Sequence, residues 1–104
     1  MKVLKVLEGG LLEVKDIKGD LSSFQENVGG LIDVVQITDK IDLIVNDNFL
    51  SNGSEPTLYI HENLIIYGEC LFTNYDDLTE EDINYLYKKM RRIKAGVLVW
   101  IENI

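Results

Sequence analysis

Phe24-Gln25-Glu26-Asn27-Val28-Gly29-Gly30-Leu31-Ile32 is the stretch on which the reading of this chain turns. It reads as a short helix, a glycine stop and a strand entering a core. Leu21, Phe24 and Val28 recur at helical spacing, which predicts a core-facing stripe. The helix starts from Asp20 or from the capping-box spacing of Ser22-Ser23-Phe24-Gln25. Gly29 fits the left-handed position at which helices end. No side chain in the stretch does covalent chemistry, so it speaks to architecture, with Gln25 a capping or structural residue.

Working outward, Lys2 to Leu7 alternates as a first strand and Leu11 to Ile17 as a second, with Glu8-Gly9-Gly10 turning the hairpin. Gly9, Gly10, Gly29 and Gly30 are thus structural turn residues. Downstream, Leu31 to Thr38 and Ile41 to Asn46 form a second hairpin around Asp39-Lys40. The polar run from Asn46 to Pro56 is a long loop. Leu58-Tyr59-Ile60 reads as a short edge strand, and Asn63 to Asn74 as one β-rich segment with a bulge at Gly68. Thr79-Glu80-Glu81-Asp82 opens a second helix. Its stripe is Ile83, Leu86, Tyr87, Met90 and Ile93, and Ala95-Gly96 ends it. Val97 to Asn103 closes the chain as a strand apolar on both faces, central in a sheet or buried against another copy. The order predicts one α+β domain over residues 1–104, with two helices and a mainly antiparallel sheet of about five or six strands.

With 104 residues, 46% of them hydrophobic, the chain can bury a core and is not disordered. No apolar run approaches the roughly 20 residues of a membrane span, and Met1 to Glu8 lacks the features of a signal peptide. Cys70 is the single cysteine, which fits a buried small hydrophobe in a reducing cytoplasm. The net charge of −8 is uneven: residues 1–87 hold seventeen acids against five lysines, a net of −12. Residues 88–94, Lys88-Lys89-Met90-Arg91-Arg92-Ile93-Lys94, add five positive charges. Such an acidic body repels nucleic-acid backbones.

Candidate chemistry is sparse. His61 is the only histidine, and no second His or Cys completes a zinc site with it. Cys70 lies in the apolar run Tyr67–Phe72, where burial makes a thiol inert. Asp47, Asp76-Asp77 and Glu80-Glu81-Asp82 sit in turns or a helix start, where capping explains them. Asn46-Asp47-Asn48 lacks the order of a calcium loop, and neither Gly-Gly pair has the spacing of a phosphate loop. The expectation is therefore a protein that is not an enzyme and needs no metal or cofactor. The basic run is either a solvated helix end or an anion site. In the second reading Arg91, Arg92 and Lys94 clamp a phosphate, Tyr85, Tyr87 or Trp100 stacks on a base, and Asn46 and Asn48 bond base or ribose edges.

Several segments together carry a resemblance: Leu7-Glu8-Gly9-Gly10, Gly19-Asp20-Leu21, Gln25-x-x-Val28-Gly29-Gly30-x-Ile32, Ile41-Asp42-Leu43-Ile44-Val45-Asn46 and Leu78-Thr79-Glu80-Glu81-Asp82-Ile83. Over about residues 3–83 the chain resembles the family called domain of unknown function 3846. The loop departs from the family pattern, whose acidic-Gly and Pro-Asn elements survive only as Asp47-Asn48 and Glu55-Pro56. The resemblance implies a habitat, in phages and mobile elements of bacteria, and no reaction. In that habitat the leading expectation is an anti-defence protein that sequesters a nucleotide-type immune signal, ADP-ribose-derived or cyclic, as a homo-oligomer. The alternative is an acidic inhibitor of a host defence or nucleic-acid-binding protein. A phosphodiesterase using His61 as base ranks third.

Overall fold

The computed structural model describes residues 1–48, 53–93 and 96–101. β1 (Lys2–Leu7) and β2 (Leu11–Asp16) form the N-terminal hairpin. Helix α1 (Leu21–Val28) is capped by Asp20, whose carboxylate accepts from the Ser23 N–H at 2.9 Å. Gly29 ends it at φ 80° and ψ 23°, and the N–H groups of Gly29 and Gly30 both donate to the Gln25 carbonyl. The helix meets the sheet through Phe24 and Val28. Leu21, expected in the same stripe, lies in the first turn outside that contact and is 58% exposed.

β3 (Ile32–Gln36) and β4 (Asp42–Asn46) form the second hairpin. Then come β5 (Pro56–His61), β6 (Leu64–Tyr67), β7 (Cys70–Thr73), α2 (Glu80–Lys89), β8 (Met90–Arg92) and β9 (Leu98–Trp100). The strands make two sheets, β2-β1-β7-β4-β3 and β6-β5-β9-β8, antiparallel except for the parallel β5–β9 pair. The class is α+β, with the strands divided between two sheets.

Three expectations change in the second half. Asn63 to Asn74 is two strands in different sheets. Gly68, at φ 79°, is the corner where the chain passes from one sheet to the other, not a bulge. β5 is not an edge strand, because β6 and β9 flank it. The second helix stops at Lys89, and Met90–Arg92 pairs with β9 instead, Met90 opposite Trp100 and Arg92 opposite Leu98. Met90 and Ile93 fit a helical stripe, but cross-strand pairing with β9 outweighs helical spacing. Ile93 is 40% exposed. β9 is central in its sheet; Glu102 and Asn103, assigned to the same strand, lie outside the described residues.

The main core lies between the sheets. Leu4, Val6, Leu43, Val45 and Phe72 of the larger sheet meet Leu58, Ile60, Ile66 and Leu98 of the smaller one, with Ile83 and Leu86 of α2. On the far face, Val3, Ile44 and Leu71 pack against Phe24 and Val28 of α1. β1 is therefore covered on both sides, which explains apolar residues on both of its faces, Val3 on one and Leu4 and Val6 on the other.

Candidate functional site

Two regions gather polar chemistry. The first is the face of α2 that turns away from the core. Buried Ile83 and Leu86 fix the helix roll, so Glu81, Tyr85 and Lys89, spaced four apart, line up on one flank. The helix start is held by a reciprocal box: Thr79 Oγ1 accepts from the Asp82 N–H at 3.1 Å, and Asp82 Oδ2 accepts from the Thr79 N–H at 3.0 Å. Asn74 adds a third bond to Asp82 at 3.3 Å. The Thr79 backbone bond, helped by Asn74 and the Lys40 ammonium, holds the Asp82 carboxyl below the usual carboxylate range.

Tyr85 meets Trp100 edge-on, with ring centroids 6.3 Å apart, and Trp100 stacks on the buried Phe72 at 6.2 Å. The Lys89 ammonium sits 5.7 Å from the centre of the Tyr85 ring. Tyr85, Glu81 and Asp82 form one wall of an open groove of about 310 Å³, and the β3–β4 turn, Thr38 to Ile41, forms the other.

The remaining candidates do not join this cluster. Tyr87 lies on the opposite flank of α2, beside Lys2, Val14 and Asn84. Arg91 and Arg92 are strand residues, so they point to opposite faces and do not form one clamp. Arg92 donates to the Gly10 carbonyl at 3.0 Å, tying the smaller sheet to the first hairpin. Lys94 lies outside the described residues. Asn46 is buried and structural: its Nδ2 donates to the Val28 carbonyl at 3.0 Å and its Oδ1 accepts from the Asn48 N–H at 2.8 Å. Asn48 is exposed beyond it.

The second region lies at the C-terminal end of α1. Lys5, only 8% exposed, points from β1 toward the end of α1. Its Nζ donates to Asn27 Oδ1 at 3.2 Å and pairs with Glu69 Oε1 at 3.1 Å. Lys15 Nζ reaches the same Asn27 oxygen at 3.1 Å, while Asn27 Nδ2 donates to the Ser23 carbonyl at 2.7 Å. Both cations stand near the negative end of the α1 dipole. The one sequence signal was a lysine at the centre of an otherwise apolar strand, Val3-Leu4-Lys5-Val6-Leu7.

Nucleophilic chemistry finds no assembled pair among the described residues. Cys70 is fully buried, and burial pushes its thiol well up. His61 ends β5 in the other sheet, where its Nδ1 accepts from the Asn63 N–H at 3.2 Å and caps its own turn. Cys70 is accordingly expected to resist an aromatic disulfide reagent in the native protein and to react fully in denaturant, read as released thiolate. Rapid native labelling contradicts the buried placement. Among the described residues no group of three or more His, Cys, Asp or Glu is placed to hold a metal ion.

The match to a known family covers residues 1–94, and its description is Domain of unknown function (DUF3846). The chain belongs to that family. The matched span includes both hairpins, both helices and β8, and stops before β9. Trp100, which backs Tyr85, therefore lies beyond the family segment. No curated protein and no solved structure matches the chain. Among the described residues no helix is long and apolar enough to cross a membrane.

Proposed function

We propose that this DUF3846 protein is a non-catalytic binding module for a nucleotide-type ligand, held on the outer flank of α2. One observation carries the reading: Tyr85, Lys89 and Trp100 converge beside a groove. A half-exposed ring backed by a second aromatic offers a planar base a stacking surface. Lys88 and Lys89 at the end of α2 supply the positive charge for a phosphate group. Glu81 and Asp39 are exposed carboxylates on the groove walls, suited to accept from ribose hydroxyls. The ligand is held and not converted, which fits sequestration of a cyclic or ADP-ribose-derived signal in a mobile-element setting.

Calorimetry against a panel of cyclic nucleotides and ADP-ribose derivatives tests this. A member of the panel is expected to bind with Kd below about 100 μM, and Tyr85→Ala to weaken it about tenfold, near 1.4 kcal/mol. No binding by any member at that level rejects the reading. A second reading rests on the exposed acids of the body, with its net of −12 over residues 1–87. There the protein covers a basic surface of a host protein, and the complex dissociates steeply as salt rises.

A further inference from the structure

We propose that β2 pairs antiparallel with β2 of a second copy, so that two five-stranded sheets join into one. This goes beyond the ligand reading and does not depend on it. β2 and β3 are the two edges of the larger sheet, and they are treated differently. In the β3–β4 pair, Asp47 and Leu31, and Ile37 and Ile41, are joined by hydrogen bonds. Alternation along an antiparallel ladder then turns the Val34 N–H outward, to the open edge. The Asp33 carboxylate occupies that N–H at 2.8 Å, and a charge so placed blocks strand addition.

Among the described residues no side chain occupies the outward backbone groups of β2 in this way. Met1 and Ile17 exchange both backbone hydrogen bonds. By the same alternation Val3–Lys15 and Lys5–Glu13 are hydrogen-bonded pairs, and Leu12, Val14 and Asp16 direct their N–H and C=O groups outward. Val14 is 44% exposed.

The sequence of β2 selects one register. Centred on Val14, Val14 meets its own copy and Leu12 meets Asp16 of the second copy, each pair exchanging N–H···O bonds in both directions. Glu13 then stands opposite Lys15 of the second copy, twice over, at the non-hydrogen-bonded positions where side chains approach most closely. Centring on Glu13 or on Lys15 sets like charges against each other. Centring on Leu12 forms no ion pair. Lys15 keeps its bond to Asn27, since an ammonium has three donors. Lys5, Glu13 and the second copy's Lys15 become a row of alternating charge across the joined sheet.

Sedimentation of the native chain is expected to show a monomer–dimer equilibrium up to about 0.5 mM, since such edge contacts lie at the weak end of interfaces. Glu13→Lys chains and Lys15→Glu chains are each expected to be monomeric, and to form a dimer when mixed. Carbodiimide treatment of the native chain is expected to couple Glu13 to Lys15 between copies, which keeps the test open should a variant misfold. A native chain that is monomeric throughout, a Glu13→Lys chain that still dimerises, or the absence of the cross-link overturns the proposal.

Discussion

Asn27→Ala is expected to destabilise the protein by about 2–4 kcal/mol in urea unfolding, whereas Lys5→Met costs under about 1 kcal/mol. The asymmetry follows from the cluster at the end of α1. Asn27 Oδ1 is the shared acceptor of two ammonium groups, and Lys5 among them is nine-tenths buried. Truncating Asn27 leaves Lys5 with Glu69 alone, strips Lys15 of this acceptor and removes the side-chain donor to the Ser23 carbonyl. A buried cation without its partners bears the full desolvation penalty. Alanine's better helix propensity returns only about 0.5 kcal/mol. Lys5→Met removes the buried charge itself. It leaves Glu69 partly in water and still accepting from the Glu8 N–H at 3.4 Å, while Asn27 keeps Lys15. Equal losses in the two variants would show that the cluster contributes by packing and not by paired charge.

The second large effect lies at the first Gly-Gly pair. Gly9 and Gly10 share the left-handed conformation, at φ 85° and 75°. A Cβ on Gly9 meets open space. Gly9→Ala therefore costs only the left-handed strain, about 1–2 kcal/mol. A Cβ on Gly10 overlaps the Gly96 carbonyl oxygen, which is backbone and cannot rotate aside. Gly10→Ala must push the first hairpin away from the turn that leads into β9, with Arg92 losing the Gly10 carbonyl. The expected cost is about 3–5 kcal/mol, read as a lowered denaturation midpoint at unchanged slope. Similar losses at both glycines would mean that the two sheets do not meet there.

What the sequence made legible was local. The first two hairpins and α1 are bounded by turn glycines and a cap, and their partners lie within a few residues, so spacing sufficed. β7 joins β1 and β4, and β5 joins β9, across long stretches of chain that local spacing does not report. Asn63 to Asn74 shows one apolar pattern, yet Gly68 divides it between sheets. Met90 carries the helical spacing of Ile83 and Leu86, yet pairs with Trp100. At the site, Tyr85 and Trp100 were among the candidates because aromatic rings near cations suit a nucleotide. The helical spacing makes Arg91 and Arg92 neighbours at a helix end, whereas strand geometry separates them. Lys5 stands out only as a lysine within an apolar strand, and Asn27 carries no local signal, since a shared acceptor between β1, β2 and α1 exists only once the sheet is assembled.

The position of β7 sets the order in which this chain becomes a protein. β7 separates β1 from β4 in the larger sheet, so the two early hairpins share no edge until Cys70–Thr73 arrives between them. As the chain leaves the ribosome, its N-terminal half carries two hairpins and a short helix with no common floor to stand on. Closing the sheet pairs Phe72 with Leu4 across most of the chain and with Leu43 across a shorter stretch, and the entropy of those closures is lost before the central strand returns any contact. The domain therefore commits late and as a whole, and a cut anywhere before β7 yields loose hairpins, not a smaller domain.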